Sequence, residues 1–181
     1  MLKKLLAVVL TGAMALTLFT ACGGNAVTDK SIADALNDMA KAKGENVTFT
    51  PRAEEREMAR KIAALVEGTA ATDENDAIEE GIKNILGYDQ GGVNADNFVW
   101  DGSVLADKIG ASGQAYWLLD QIYKADNAIN SESLKSKKME PADERCMGTA
   151  LCKMLDDDGN LVTWRVIVVT AKAVNPDPEK T

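Results

Sequence analysis

The residues best able to do chemistry in this 181-residue chain are its carboxylates and three cysteines, because it contains no histidine. Histidine is the usual general base near neutral pH, so Ser-His and Cys-His dyads and zinc sites that use imidazole are excluded. Two carboxylates can hydrolyse a glycosidic bond, but no spacing here fixes which two would meet. We therefore predict a protein that is not an enzyme, with no catalytic residue, no cofactor and no metal site.

Two acidic stretches have the composition of a cation site but a simpler explanation. Residues 156–160 (DDDGN) would need a Glu at position 12 to form an EF-hand calcium loop, and that position is Ile167. Asp, Gly and Asn in this order are typical of a tight turn. The second stretch lies at the start of a predicted helix, where carboxylates favour the positive end of the helix dipole. Its members are Asp73, Glu74, Asp76, Glu79 and Glu80.

Cys146 and Cys152 are six residues apart in a predicted strand. Six strand residues span about 20 Å, whereas a disulfide needs Cα atoms within about 7 Å. We therefore favour two reduced, buried thiols. A bridge would require the chain to turn near Gly148, and an exported protein would permit it.

Cys22 has the clearest chemical role. It follows a stretch with the organisation of an export signal: Lys3 and Lys4, an apolar run over residues 5–19, and the small pair Thr20-Ala21. The apolar run is shorter than the roughly 20 residues that span a bilayer. The sequence Leu-Phe-Thr-Ala-Cys resembles the bacterial lipoprotein box, which implies that Cys22 carries the lipid and becomes the new N-terminus. The alternative is an ordinary secretion signal that a cysteine happens to follow.

The charge of the chain argues against nucleic acid as a partner. Removal of residues 1–21 takes away Lys3 and Lys4, which leaves 18 basic against 28 acidic residues, a net charge of −10. An acidic chain with no basic stripe is a poor nucleic-acid binder, because phosphate contacts dominate that affinity. The roughly 160 remaining residues are enough for one domain with a real core and a tether.

A β-hairpin over residues 146–169 is predicted to organise the fold. The turn residues 156–160 separate two runs rich in apolar and β-branched side chains. Pairing Leu155 with Leu161 sets small residues opposite large ones; the further pairs are Met154 with Val162, Cys152 with Trp164, Ala150 with Val166 and Gly148 with Val168. Both faces of the strands become apolar, so we expect helices above and below the sheet.

Three helices, each with an apolar stripe, are predicted between residues 25 and 86. A short helix within residues 25–43, with Ser31 and Asp34 as a capping box, is expected to be loosely docked. The next is predicted to begin at Pro51 behind a Thr50 cap, to bury Met58, Ile62, Leu65 and Val66, and to end at Gly68. A third covers residues 75–86 and directs Ile78, Ile82, Ile85 and Leu86 inward.

The middle of the chain is predicted to alternate loop, strand and helix. Residues 88–96 form a loop, and residues 97–100 a short strand that Asp101-Gly102 ends. A brief helix follows over residues 103–109. A longer helix over residues 114–129 buries Ala115, Leu118, Leu119, Ile122, Ala125 and Ile129. Tyr116, Trp117 and Tyr123 add aromatic bulk to it, and such residues are more often part of the core than a platform for a ligand.

The segment before the hairpin has a recognisable order of residue types. Asn130-Ser131 close a helix, Lys135, Met139 and Pro141 follow, and a strand begins at Met147-Gly148-Thr149-Ala150. This order resembles bacterial members of the CAP superfamily, also called the SCP or PR-1-like domain, as does the hairpin that carries Trp164. Leu134 takes the place of the family's His. The nearest match to its Gly-Glu-Asn motif, at residues 92–94, lacks the Glu.

The resemblance implies a fold and a kind of function. The fold would be α+β, a three-layer α-β-α sandwich around a small antiparallel sheet. Family members have been linked to lipid or sterol binding and, in a few cases, to proteolysis, often through a cleft of two His and two acidic residues. Without His this chain cannot rebuild that cleft, so the resemblance implies a degenerate member that binds without catalysis.

Lys135, Lys137 and Lys138 form a basic group in an otherwise acidic chain. Lysines grouped in this way usually lie in a solvated loop. The functional alternative is a patch that steers the domain to an anionic membrane or an acidic glycan.

These patterns give one predicted organisation. Residues 1–21 are a lipoprotein signal peptide, 22–46 a tether with a short helix, 47–174 the CAP-like α+β domain and 175–181 a disordered tail. The predicted function is binding of a lipid, peptide or envelope glycan by a protein anchored outside the cytoplasm through Cys22. The alternative is an unrelated envelope lipoprotein that acts as a structural or protein-interaction module. An apolar cleft between helix and sheet would favour the first, and a flat apolar patch the second.

Overall fold

The fold is α+β, as predicted. A computed structural model describes residues 27–70, 75–87, 96–106, 109–122, 128, 134 and 136–176. In chain order the described elements are α1 (Asp29–Ala42), β1 (Thr48–Pro51), α2 (Ala53–Val66), α3 (Asp76–Ile85), β2 (Asn97–Leu105), α4 (Ala111–Ile122), β3 (Glu140–Leu155) and β4 (Leu161–Val174).

The four strands form one sheet in the order β1-β3-β4-β2. The predicted hairpin register is confirmed: Leu155 lies opposite Leu161, and every pair up to Gly148 with Val168 is as expected. The Asp156 carboxylate accepts backbone hydrogen bonds from Asp158 at 3.0 Å and Asn160 at 2.8 Å, so these residues form a turn. The sheet is mixed instead of wholly antiparallel, because β1 runs parallel to β3.

Helices cover both faces of the sheet, which confirms the predicted three layers. Alternate residues of β4 belong to two separate apolar clusters, as the two-residue period of a strand requires. Ile167 and Val169 join the cluster under α1 and α4. Val166 and Val168 join the cluster under α2 and α3. We call these the α1–α4 face and the α2–α3 face.

Helix α1 is part of the core, so its expected loose docking within the 22–46 tether is wrong. Ile32, Leu36 and Ala40 are completely buried. Asn37 accepts a hydrogen bond from the backbone N–H of Phe49 at 2.6 Å and donates one to its carbonyl at 3.0 Å, which ties α1 to β1. The capping box uses Thr28 and Ser31 instead of Ser31 and Asp34.

Helix α2 begins later than its sequence signals predict. Thr50 and Pro51 belong to β1, where they pair with β3, and Arg52 is the N-cap residue. Proline is tolerated there because β1 is an edge strand. Pairing with a distant strand has therefore overridden a local helix-start signal. The predicted apolar stripe is confirmed at Met58, Ile62 and Val66, whereas Leu65 is only half-buried.

Strand β2 is longer than predicted, and the helix predicted over residues 103–109 is wrong. Asp101-Gly102 do not end the strand, which continues to Leu105 opposite Trp164. The long partner β4 supplies a pairing position for each residue, which outweighs the turn preference of Asp and Gly. Strand β3 likewise begins at Glu140, not Met147, with an irregularity between Pro141 and Arg145.

Candidate functional site

Several of the residues that the sequence singled out as site candidates lie outside the part of the chain that the structure describes. Cys22, Asn130, Ser131 and Lys135 lie outside the described residues, as do residues 88–95 and the end of the tail. Leu134 is buried in the cluster under α1 and α4, so it is a core residue. Lys137 and Lys138 are exposed in the turn before β3.

Cys146 and Cys152 are both free thiols, as favoured. Cys152 is buried in the cluster under α2 and α3, where burial raises the pKa of its thiol to about 11. Cys146 is only half-buried, which corrects the expectation of two buried thiols; burial also raises its pKa. Neither thiol is activated as a nucleophile, because activation requires a lowered pKa.

Two aromatic residues of α4 are exposed, contrary to prediction. Tyr116 is 51% and Trp117 55% exposed, whereas Ala115, Leu118 and Leu119 face the core as expected. Positions 116 and 117 lie on the side of α4 that faces away from the sheet, so their large side chains stay exposed. Tyr123 lies outside the described residues.

A cavity of about 200 Å³ lies between α2, α3 and the sheet. Helix α2 contributes Ile62 and Val66, α3 contributes Ile78 and Ile82, and the hairpin contributes Met154 and Val166. Asp101, Gly102 and Ser103 of β2 form its polar side, together with Thr69. We call it the α2–α3 cleft. Apolar walls with a few convergent polar groups are typical of small-ligand sites.

Asp101 is the one acidic side chain among the described residues that line this cleft. Burial raises the pKa of its carboxyl, and a backbone hydrogen bond opposes the shift only in part. A desolvated carboxylate in such a place gains from a ligand that donates a hydrogen bond or carries positive charge. Asp101 is not recognisable as a site residue from the sequence, because an Asp-Gly pair is typical of a turn that ends a strand. A glycine within a strand, which often marks a close backbone approach, was the available signal.

A second concavity lies at the start of α1 and contains a buried arginine. Arg165 is 7% exposed. Its guanidinium donates to Gln114 Oε1 at 2.7 Å, Thr149 Oγ1 at 2.9 Å and the Val27 carbonyl at 3.1 Å. Burial lowers the pKa of Arg165, while the nearby Asp29 opposes that shift.

Asp29 joins this network to the helix layer on the opposite face of the sheet. Its carboxylate accepts the Thr149 hydroxyl at 2.5 Å and Arg56 Nε at 2.6 Å. Arg56 belongs to α2 and Asp29 to α1, so their ion pair connects the two layers. Arg60 and Leu151 complete the lining of this open concavity, which we call the arginine groove.

A completely buried carboxylate, Glu55, forms a separate structural network. It accepts Arg52 Nε at 2.6 Å and the Thr170 hydroxyl at 2.6 Å, with a further contact from Arg52 Nη2. Burial alone would raise the pKa of Glu55, but these bonds lower it below its ordinary value. Glu55 therefore favours folding above pH 4.5 and loses that contribution as the pH falls.

Within the described parts of the chain, no group of three or more acidic or cysteine side chains is placed to hold a metal ion. The helices described there are also too short or too polar to cross a membrane. No protein-family model, curated protein or solved structure matches this chain.

Proposed function

We propose that this chain is a lipid-anchored protein of the bacterial envelope that binds an amphipathic ligand, without catalysis, in the α2–α3 cleft. The carrying observation is the cleft itself, in which apolar side chains of α2, α3 and the hairpin face the half-buried carboxyl of Asp101, the one acidic group among its described lining residues. The proposal includes a degenerate CAP-like scaffold. The three layers and the hairpin register are consistent with that scaffold, whereas the parallel strand β1 departs from the expected antiparallel sheet.

The size and polarity of the cleft narrow the ligand. An apolar cavity of about 150 Å³ accepts benzene, so 200 Å³ accommodates a group of about the size of an aromatic ring with a short substituent. The hydroxyls of a glycan would lose hydrogen bonds against the apolar walls. A lipid or peptide group with a hydrogen-bond donor or an amine near Asp101 therefore fits better than an envelope glycan.

Binding of benzylamine, benzyl alcohol and toluene to the mature chain tests the cleft. NMR titration is expected to shift the resonances of Ile78, Ile82 and Asp101, with benzylamine binding most tightly. Asp101→Asn should weaken benzylamine binding at least about tenfold, the low end of the contribution of a hydrogen bond to a charged group, and leave toluene binding nearly unchanged. Asp143→Asn is the matched control, because Asp143 is exposed on β3 outside the cleft. Equal affinities for toluene and benzylamine would show that Asp101 has no role in binding. If none of the three compounds binds, the cleft is not a ligand site.

The anchor is tested separately. Cys22→Ser should move the protein from the membrane fraction to the soluble fraction, because no cysteine would remain at the lipoprotein box. Retention in the membrane fraction after a high-salt wash, which removes proteins held by charge alone, would contradict lipid attachment at this residue.

A protein-interaction module is the second candidate, favoured by the exposed Tyr116 and Trp117 on α4. Aromatic side chains of this kind are enriched where protein interfaces concentrate their binding energy. A partner that is lost with Trp117→Ser but kept with Asp101→Asn would favour this alternative over ligand binding.

A further inference from the structure

The arginine groove has a net positive charge in a strongly acidic protein. Its described lining residues include three arginines (Arg56, Arg60 and Arg165) and one carboxylate (Asp29), which gives +2. Glu57 lies 3.8 Å from Arg60, and counting it leaves +1. The mature chain as a whole carries −10, so this surface has the opposite sign from the average.

The guanidinium groups are held by different means. Arg165 is fixed by Gln114, Thr149 and the Val27 carbonyl, and Arg56 by Asp29. The side chain of Arg60 is 66% exposed, and its one ion pair within the described part of the chain is the long contact to Glu57 at 3.8 Å. The groove therefore combines two positioned charges with one that is available to solvent.

An apolar side chain lies beside these charges. Leu151 lines the groove directly opposite Arg165 and is 55% exposed. Leu161 occupies the same face of the hairpin and is also exposed. Basic residues next to exposed leucines are the combination that binds the boundary between headgroups and acyl chains.

The length of chain before the groove fixes how far it can be from the membrane. Val27 lines the groove, and Cys22 is five residues earlier. Five fully extended residues span about 18 Å. A lipid on Cys22 therefore holds the groove within that distance of the bilayer. Glu140, at the other end of β3, is roughly 35 Å from Leu151 along the strand.

We propose that the arginine groove docks the domain on anionic lipid headgroups of the membrane in which Cys22 is anchored. The exposed guanidinium groups of Arg56 and Arg60 bind lipid phosphates, Arg165 contributes its charge from its buried position, and Leu151 enters the headgroup boundary. This inference rests on the proposed lipid anchor. It assigns membrane contact to the start of α1 instead of the lysine group at residues 135–138, because Lys137 and Lys138 precede β3 at its far end.

Vesicle sedimentation of the unlipidated mature chain, residues 22–181 with Cys22→Ser, tests the inference without the anchor. We expect binding to vesicles that contain phosphatidylglycerol, little binding to pure phosphatidylcholine, and loss of binding at high salt. Arg60→Glu should weaken binding about tenfold, Arg60→Gln less, and Leu151→Ser measurably. Because Arg60 and Leu151 are exposed, these variants should keep the wild-type circular dichroism spectrum.

Lys137→Glu is the matched control, with the same reversal of charge at the distant end of the domain. Unchanged vesicle binding of Lys137→Glu would support docking through the arginine groove. Equal losses for Arg60→Glu and Lys137→Glu would show a general charge effect, and equal binding to neutral vesicles would show apolar adsorption; either overturns the inference. Absence of vesicle binding, with Cys22→Ser still releasing the full chain from membranes, would refute the groove and leave the anchor intact.

Discussion

At the scale of single residues, Asp101 is placed where its charge is unfavourable. The pKa of its carboxyl is raised by burial above the ordinary value of 3.8. The folded state therefore holds the proton more tightly than the unfolded state. This contribution favours folding at low pH and is lost as the pH rises through the raised pKa. A residue that destabilises the free protein in this way is typical of a binding site.

Asp101→Asn should therefore stabilise the unliganded protein while weakening its binding of amines. At pH 7 the variant is expected to have a higher free energy of unfolding than the wild type, because it removes the penalty of a buried charge. The difference should shrink as the pH falls towards 3.8. Urea denaturation across this pH range measures the effect. Asp143→Asn should show no such gain, and an Asp101→Asn variant less stable than wild type at neutral pH would contradict the argument.

At the scale of elements, the contact between α2 and β3 depends on Gly148. A Cβ atom there would lie 2.0 Å from the backbone nitrogen of Arg56 and 2.4 Å from the Glu55 carbonyl carbon. Backbone atoms cannot move aside as a flexible side chain can. The first turn of α2, which carries the buried Glu55, is therefore able to sit directly on the strand only because position 148 has no side chain.

Gly148→Ala should destabilise the fold by about 3 kcal/mol, the upper part of the usual range for overpacking. The chemical denaturation midpoint measures this loss. Gly81→Ala in α3 is the control, because its new Cβ would meet only the flexible end of Leu65, at 2.7 Å, and alanine favours the helix. Equal stability of the Gly148→Ala variant and wild type would show that α2 can shift without cost.

The elements that local sequence predicts are those whose signals lie within a few residues. The hairpin register follows from the turn at residues 156–160 and the alternation beside it, and α3 lies within the predicted range 75–86, with Asn75 as its N-cap residue. Strand β1 and the second half of β2 were missed because their pairing partners are distant in sequence. Thr50-Pro51 and Asp101-Gly102 have strong local preferences for a helix start and a turn, and long-range pairing overrides both.

At the scale of the whole molecule, the folded unit starts at α1 instead of residue 47. Deletion of residues 22–46 should abolish cooperative unfolding, because it removes the fully buried Ile32 and Leu36, each worth about 2 kcal/mol, and the Asn37 bonds to β1. Thermal melting followed by circular dichroism measures this. Deletion of residues 22–26 is the control and should leave the melting temperature unchanged, since the described contacts begin at Val27. A cooperative unfolding transition in the variant that lacks residues 22–46 would show that α1 belongs to the tether and not to the folded unit.

The candidate cleft could not be predicted from the sequence because its walls come from remote parts of the chain. Ile62, Ile78, Asp101 and Val166 meet there from four different elements. Each has an ordinary local explanation as a core or turn residue. Only the packing of α2 and α3 against the sheet brings them around one cavity.

The position of β4 has a consequence for how such a protein is made. It is the last described element in chain order, yet it lies between β3 and β2. Its side chains Val166 to Val169 and Ala171 complete the clusters on both faces. Neither apolar core can close until this strand arrives. A chain threaded across a membrane amino end first would stay open throughout its passage and collapse only after β4 emerges.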